Sequence, residues 1–204
     1  MTVIPKVQPG NSKLGYNVGC VNLPAGITCR TDAPCKVGCY AQKGRFIFQN
    51  VKDCAMANYE KYLDTPDEYF DNIRMQLKLI PYSFFRWHSS GDIVDMGYLI
   101  GMIKLAKEIQ RTRFLCFTKK YELVNQWISS NGNLPNNLII VFSAWGEWIP
   151  HNPYNLPMSY VRFKEDDELP KDGIECNNYC GDCCSQEKGC WFLTHGESVI
   201  FNKH

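Results

Sequence analysis

The stretch LIIVFSAW, residues 138–145, decides the predicted fold of this chain. It is a continuous apolar run without a charged side chain, and it is much shorter than the roughly 18 apolar residues that a membrane-spanning helix needs. Short runs of this kind are typical of a β-strand that is buried on both faces, as in parallel sheets covered by helices. We therefore predict an α/β protein with a buried strand at 138–144.

Strand and helix patterns alternate on both sides of this run. The helical patterns, in which apolar residues recur every three or four positions, cover 48–80, 96–109 and 121–130, with a new helix predicted to start at Thr65-Pro66. This alternation implies a mostly parallel sheet with right-handed crossovers. About six strands are too few for a closed eight-stranded barrel, so we predict a partial (β/α) barrel of about six mostly parallel strands. The strand candidates are 15–22, 83–88, 113–118, 138–144, 159–163 and 198–202.

The composition indicates one globular domain. The chain has 204 residues, and 45% of them are hydrophobic, which suits a single domain over 1–204 with its own core. The sequence has no apolar run of about 18 residues, and residues 1–15 lack the apolar segment of a signal peptide. We therefore expect a cytoplasmic protein, in the host cytoplasm if a phage encodes it, with no membrane partner. The formal net charge of +1 disfavours a dedicated nucleic-acid binder, which is usually basic on one face.

Three of the eleven cysteines fall on one short stretch, TCRTDAPCKVGCYAQKGRF at 28–46. They are Cys29, Cys35 and Cys39, and the proline and glycine between them favour a loop. An odd number of cysteines without an export signal indicates reduced thiols rather than a disulfide scaffold. Thiolates are soft ligands that favour iron–sulfur clusters or zinc, so we predict that the three cysteines bind metal. Buried or disulfide-bonded cysteines are the alternative.

A second and denser group of cysteines lies in IECNNYCGDCCSQEKGCW, residues 174–191. Four thiolates with a C-x2-C core suit a closed zinc site or a four-iron cluster. The predicted ligands are Cys176, Cys180, Cys183 and Cys190. Cys184 is interpreted as a spare thiol, because it cannot easily point to the same ion as its neighbour Cys183. We predict a cysteine-rich metal-binding insertion over 174–192, and one site shared with the loop cysteines or two separate sites are both open.

Further polar residues follow the strands at the edge where the sites of parallel sheets collect. Ser90, Gly91 and Asp92 follow the second predicted strand, and Lys119 follows the third. A site role and a helix N-cap before Met96 are both open for Asp92. Lys119 is interpreted as solvated.

Four residues with metal-binding or titratable side chains are assigned no site role. Cys20 and Cys54 are interpreted as small buried hydrophobes. His88 is interpreted as a satisfied strand histidine rather than a ligand, and His204 as a terminal residue.

Several motifs together resemble a known family. They are NLPAGITC at 22–29, CYAQKGRF at 39–46, HSSGD at 88–92, RFLCFTK at 113–119 and the terminal C-x2-C that is followed by Cys190-Trp191. In this order and over most of the chain, the motifs resemble the gene-product-88 family of phage and plasmid proteins, which has no firmly assigned activity. The chain is also distantly similar to radical S-adenosylmethionine (SAM) enzymes.

The second resemblance implies roles for individual residues. In radical SAM enzymes a three-cysteine loop after the first strand of a partial barrel holds a [4Fe–4S] cluster, and a short Gly-and-acid motif after the second strand binds SAM. By this resemblance Cys29, Cys35 and Cys39 hold three irons of a cluster. The segment that would bind SAM is Ser90-Gly91-Asp92. The loop here reads C-x5-C-x3-C, whereas radical SAM loops usually read C-x3-C-x2-C.

Two functional hypotheses from different classes follow. The first is a radical-SAM-like enzyme with one or two [4Fe–4S] clusters that acts on a small molecule or on nucleic acid. The second is a non-catalytic iron–sulfur or zinc protein, serving as an electron carrier, a redox sensor or a nucleic-acid-associated binding module. Zinc is the alternative metal for the C-terminal cysteines.

Overall fold

The computed structural model describes residues 4–203, so the interpretation of His204 lies outside the described residues. None of the helices in this part of the chain is long and apolar enough to cross a membrane. The strands are β1 (Gln8–Pro9), β2 (Val18–Val21), β3 (Phe84–Trp87), β4 (Arg113–Thr118), β5 (Leu138–Ser143), β6 (Met158–Arg162), β7 (Ile174–Glu175) and β8 (Ser198–Asn202). The α-helices are α1 (Gln49–Asp64), α2 (Pro66–Leu79), α3 (Met96–Glu108), α4 (Tyr121–Asn131) and α5 (Cys180–Ser185).

All eight strands form one open sheet in the order β1-β2-β3-β4-β5-β6-β8-β7. β1 is antiparallel to β2, and every other neighbouring pair is parallel. The mixed α/β class and the mostly parallel sheet are confirmed. The predicted number of strands is too low, because two strands of two residues each, β1 and β7, form the edges of the sheet. Such short strands leave no apolar alternation in the sequence.

The order of the strands places the long helices on one face of the sheet. β2 to β6 lie side by side in sequence order, and right-handed crossovers between such neighbours put each connecting helix on the same side. The resulting core joins helix and sheet side chains that are removed from water. Its largest fully buried members include Tyr69, Phe85, Trp87, Tyr98, Phe114 and Phe142.

The opposite face of the sheet is covered by the cysteine-rich C-terminal segment. Val18 of β2, Leu115 of β4 and Val141 of β5 form a second buried cluster on this face. Trp191 belongs to the same cluster and is 1% exposed. The segment around the second cysteine group therefore contributes to a hydrophobic core and lies against the middle strands.

Acidic and proline residues define two of the helix starts. The predicted break between α1 and α2 is confirmed, and α2 begins at Pro66. The cap of α3 is Asp95, whose Oδ1 accepts a hydrogen bond from the backbone N–H of Tyr98 at 2.8 Å. The interpretation of Asp92 as this N-cap is wrong, because the Asp92 carboxylate turns to the end of β4 instead.

Candidate metal centres

The loop that carries Cys29, Cys35 and Cys39 follows β2, at the edge of the sheet where the parallel strands end. Short 3₁₀ turns at Pro34–Lys36 and Tyr40–Gln42 shape it. All three side chains are half-buried, and none of them forms a disulfide. A free thiol in such a position is open to a metal ion and partly shielded from solvent.

The three loop thiols lie close enough to influence one another's ionisation. Burial raises the pKa of Cys29, and the charges of Asp92, Cys39 and Cys35 raise it further. Burial also raises the pKa of Cys35, against the favourable charge of Lys119. Metal binding requires the deprotonated form, so this loop would release protons when it takes up a cation.

The segment Ser90-Gly91-Asp92 follows β3 and holds the base of the cysteine loop. Ser90 Oγ donates to the Leu23 carbonyl at 2.8 Å, and Leu23 N donates to the Ser90 carbonyl at 3.1 Å. Gly91 has a φ of +83°, and a Cβ there would lie 2.8 Å from the Leu23 carbonyl oxygen and 2.7 Å from Thr28 Oγ1. Glycine is needed here because the two loops touch through their backbones.

The Asp92 carboxylate is buried and accepts three hydrogen bonds from the protein. The donors are Thr118 Oγ1 at 2.6 Å, Ile93 N at 2.7 Å and Lys119 N at 2.9 Å. Asp92 N donates to Thr28 Oγ1 at 3.0 Å. Burial raises the pKa of Asp92, and these hydrogen bonds oppose the effect. Asp92 therefore joins the cysteine loop to the ends of β3 and β4.

Basic and aromatic side chains complete the edge beside the cysteine loop. Arg30 forms an ion pair with Glu122, and its guanidinium carbon lies 5.3 Å from the ring centre of Trp148. Lys119 Nζ lies 5.9 Å from the ring centre of Trp145. Lys119, interpreted from the sequence as solvated, is half-buried and borders the candidate site.

The second cysteine group lies on the sheet face opposite the long helices. α5 carries three of its members, Cys176 follows β7, and Cys190 lies in a 3₁₀ turn at Gly189–Phe192. Four of the five cysteines pack against the buried cluster of that face. Cys180 N donates to the Lys13 carbonyl at 2.8 Å, so the N-terminal arm holds the start of α5.

The thiols of the second group also raise one another's pKa values. Burial raises the pKa of Cys190, and the charges of Cys176, Cys180 and Cys183 raise it further. Burial raises the pKa of Cys184 to about 12, with smaller contributions from the thiols beside it. The four predicted ligands are therefore neighbours, and Cys184 lies next to them.

Backbone amides donate to one sulfur in each cysteine group. Gly26 N lies 3.5 Å from Cys29 Sγ, and Asn178 N lies 3.4 Å from Cys176 Sγ. Hydrogen bonds from N–H to sulfur favour the thiolate over the thiol, and they tune the properties of metal–thiolate sites.

The two groups occupy different parts of the sheet. One lies at the carboxyl ends of the strands, and the other lies against the sheet face. Within residues 4–203, no three His, Cys, Asp or Glu side chains are arranged as a site for one metal ion. Neither cysteine group is therefore assembled as a metal site in the described residues.

Arg86 is a residue of this region that sequence reasoning missed. It lies in β3 between Cys20 of β2 and Leu115 of β4, and its side chain shares the face that the second cysteine group covers. Its guanidinium carbon lies 4.4 Å from the ring centre of Phe117. The available signal was a single positive charge inside the aromatic strand SFFRWH, 83–88.

The remaining titratable candidates lie in the core or at its border. Cys20 is 2% exposed, which confirms its interpretation as a buried residue, whereas Cys54 is only half-buried on α1. His88 Nε2 lies 3.0 Å from the Tyr98 hydroxyl, while its Nδ1 is buried without a hydrogen-bond partner. The interpretation of His88 as a satisfied strand histidine is confirmed only in its burial, because the residue follows the end of β3 and its Nδ1 has no partner.

An apolar cleft of about 270 Å³ opens beside the cysteine loop. Its walls come from the residues before the loop, the residues after it and the first turns of α1. The apolar lining includes Pro24, Ile27, Phe46, Ile47, Val51 and Met56. Gln42, Lys52 and Ser90 add polar groups to the lining.

The family model described as Gene product 88 (GP88) matches residues 5–194 of the chain. No curated protein and no solved structure matches it.

Proposed function

Because the chain belongs to the gene product 88 family, whose description names no activity, we propose from its own residues that it binds an iron–sulfur cluster. One observation carries the proposal. Three free, half-buried thiols share one loop at the carboxyl edge of a mostly parallel sheet, and the charges of Cys35 and Cys39 act on Cys29. Soft thiolates on a loop suit iron–sulfur clusters better than hard cations.

The donor set of the loop fits a cluster with one iron left open. Cys29, Cys35 and Cys39 supply three thiolates, and a [4Fe–4S] cluster has four iron positions. The amide of Gly26 would stabilise the thiolate of Cys29. When bound, such a cluster supplies one-electron transfer, and the protein holds and shields it.

The radical-SAM-like enzyme is the finer form of this proposal. It requires the sheet to act as a partial (β/α) barrel and Ser90-Gly91-Asp92 to hold SAM beside the cluster. In this proposal Gly91 lets the cysteine loop pack against the backbone beside the cluster, since a side chain there would meet Leu23 and Thr28. The Asp92 carboxylate already accepts three hydrogen bonds. Its role in this proposal is to hold the segment beside the cysteine loop against the end of β4. The apolar cleft beside the loop supports a small-molecule substrate.

The C-terminal cysteines are proposed as a second centre. Cys176, Cys180, Cys183 and Cys190 supply four thiolates, which closes the coordination of zinc or of a second cluster. A closed site without an open ligand position favours a structural or electron-transfer role over catalysis. The non-catalytic iron–sulfur or zinc protein is therefore the second candidate function.

Anaerobic purification with iron, sulfide and zinc analysis tests the proposal. We expect the wild type to be brown and to contain iron and sulfide. A triple variant, Cys29→Ala, Cys35→Ala and Cys39→Ala, is expected to lose the cluster of the loop. Cys54→Ala, which removes a half-buried thiol outside both groups, is the control and should keep the wild-type content.

A SAM-cleavage assay with dithionite separates the two candidate functions. Release of 5′-deoxyadenosine by the wild type, and its loss in the triple variant, supports the enzyme. A stable cluster that ignores SAM supports the non-catalytic protein. A colourless, zinc-loaded wild type contradicts the iron–sulfur proposal.

A further inference from the structure

Arg86 carries a positive charge that the described part of the protein does not neutralise. The ion pairs among residues 4–203 involve the basic residues Arg30, Lys61, Arg74 and Arg162, and none of them includes Arg86. Its Nε is buried and has no hydrogen-bond partner. The guanidinium lies over the face of Phe117, with its carbon 4.4 Å from the ring centre. Arg86 is half-buried, so its charge is partly removed from water without an ion pair to offset the cost.

The position of Arg86 relates it to both cysteine groups. Its strand neighbour is Cys20, on the side of the sheet from which the cysteine loop departs. Its other strand neighbour, Leu115, belongs to the buried cluster against which Cys176, Cys183 and Cys190 pack. Arg86 and the C-terminal thiols therefore lie on the same face of the sheet.

Metal binding would create the negative charge that is missing around Arg86. Four thiols release four protons when they bind one metal centre, so four thiolates with one Zn²⁺ leave a net charge of about −2. A [4Fe–4S] core of charge +2 in the same ligands leaves the same net charge. A nearby cation stabilises such an anion strongly where water is excluded.

We propose that Arg86 is the counter-charge of a metal centre formed by Cys176, Cys180, Cys183 and Cys190. This inference rests on the proposed function, because it requires metal at the C-terminal cysteines. Arg86 acts as a positioning residue that touches neither substrate nor metal. The charge of Arg86 has no counter-ion in the metal-free chain and is paired with the anionic centre in the loaded chain. The positive charge of Arg86 therefore increases the affinity of the four cysteines for metal.

Two neutral substitutions and one charged substitution test the inference. Arg86→Met keeps an apolar stem and needs no partner, Arg86→Gln keeps a polar end, and Arg86→Lys keeps the charge. Arg113→Gln is the matched control. Arg113 is also half-buried, lies on the neighbouring strand β4 and stacks on an aromatic ring, with its guanidinium carbon 4.3 Å from the centre of Phe192.

The measurements are zinc affinity, by competition with a chelator, and thermal unfolding of the metal-free and the zinc-loaded chain. Arg86→Met and Arg86→Gln are expected to bind zinc at least tenfold more weakly than the wild type. Arg86→Lys and Arg113→Gln should stay within about threefold of it. Arg86→Met is further expected to raise the unfolding temperature of the metal-free chain and to lower that of the loaded chain, because the unpaired charge is costly only without metal.

The same variants give a second readout if the centre holds iron. Loss of a nearby positive charge disfavours the reduced, more negative cluster. Arg86→Gln is expected to lower the equilibrium constant for one-electron reduction about tenfold, which is 59 mV for such a couple.

The outcomes separate this inference from the proposed function. Equal zinc affinity of folded Arg86→Met and wild type overturns the inference and leaves the proposed function intact. Equal losses in Arg86→Lys and Arg86→Met also overturn it, because shape rather than charge would then matter. A wild-type chain that loads no metal at Cys176, Cys180, Cys183 and Cys190 overturns the second centre and this inference together.

Discussion

His88 follows the last residue of β3 and is held in a conformation that few side chains adopt. Its φ is +59°, it is 3% exposed, and its Nε2 contacts the Tyr98 hydroxyl at 3.0 Å. Burial lowers the pKa of His88 to about 3, and the positive charge of Arg86 adds to the effect. The folded protein therefore holds this imidazole neutral well below its ordinary pKa of about 6.5.

The neutral histidine predicts a specific loss of stability in acid. The folded pKa lies below the unfolded one, so the stabilisation is present above about pH 6.5 and is lost as the pH falls towards about 3. The free energy of unfolding of the wild type should fall by at least about 2 kcal/mol more over this range than that of His88→Asn. Urea unfolding at several pH values measures the difference.

Asparagine is the appropriate replacement, because it tolerates a positive φ. Tyr98→Phe is the control, since it removes the hydroxyl partner and keeps the titrating ring, and its pH dependence should follow that of the wild type. Parallel curves for the wild type and His88→Asn would contradict the prediction.

Single residues also mark a limit of sequence reasoning. Asp92 and Asp95 both precede the same helix, and either has the right chemistry for an N-cap. Asp95 is the cap, because its carboxylate also accepts from the Tyr62 hydroxyl at 2.6 Å, whereas Asp92 bonds to the end of a strand that follows later in the chain. The sequence lacks the information that separates them, since the Thr118 partner is close only in the folded state.

At the scale of elements, α2 and α3 pack closely because α3 has a glycine at their contact. A Cβ on Gly101 would overlap the ring of Phe70, which is 7% exposed. The apolar periodicity of both helices was enough to predict them, but it gave no sign of this contact. The edge strands β1 and β7 were not predicted for a related reason, since two paired residues form no periodic pattern.

The close contact between α2 and α3 predicts that Gly101→Ala lowers the free energy of unfolding. Alanine favours a helix over glycine by about 1 kcal/mol, but overpacking costs about 1–3 kcal/mol. We expect a net loss of about 1–2 kcal/mol in the free energy of unfolding, measured with urea. A double-mutant cycle with Phe70→Leu should give a coupling energy of more than about 0.5 kcal/mol, because the smaller side chain makes room for the new methyl group. Additive effects would argue against the close contact.

At the scale of the whole molecule, the sheet has helices on one face and the cysteine-rich segment on the other. The parallel α/β arrangement could be predicted from the sequence, because strands such as 138–143 are continuous apolar runs. The face that the cysteines cover could not be predicted, since nothing in their spacing specifies it. Arg86 was missed for the same reason, because an unpaired charge is recognised only when its surroundings are known.

Because the cysteine-rich segment and the helices cover opposite faces of the sheet, we predict that metal removal loosens only the cysteine-rich segment. If the C-terminal cysteines hold metal, a chelator should increase hydrogen exchange in residues 174–193, while the amides of β3, β4 and β5 stay protected by their ladder and by the helices. Few secondary-structure hydrogen bonds hold the segment in place, so it should open before the sheet does. Hydrogen exchange with mass spectrometry measures this. Uniform deprotection of the whole chain, or no change in 174–193, would contradict the prediction.

The strand order also has a consequence for how the protein is made. From β2 to β6 each strand pairs with the strand synthesised just before it, so this part of the sheet can grow as the ribosome extends the chain. Within residues 4–203, β7 pairs with β8 alone, and β8 inserts between β7 and β6. The edge strand at the start of the cysteine-rich segment is therefore paired only after β8 has emerged, whereas the rest of the segment packs against strands that are made earlier.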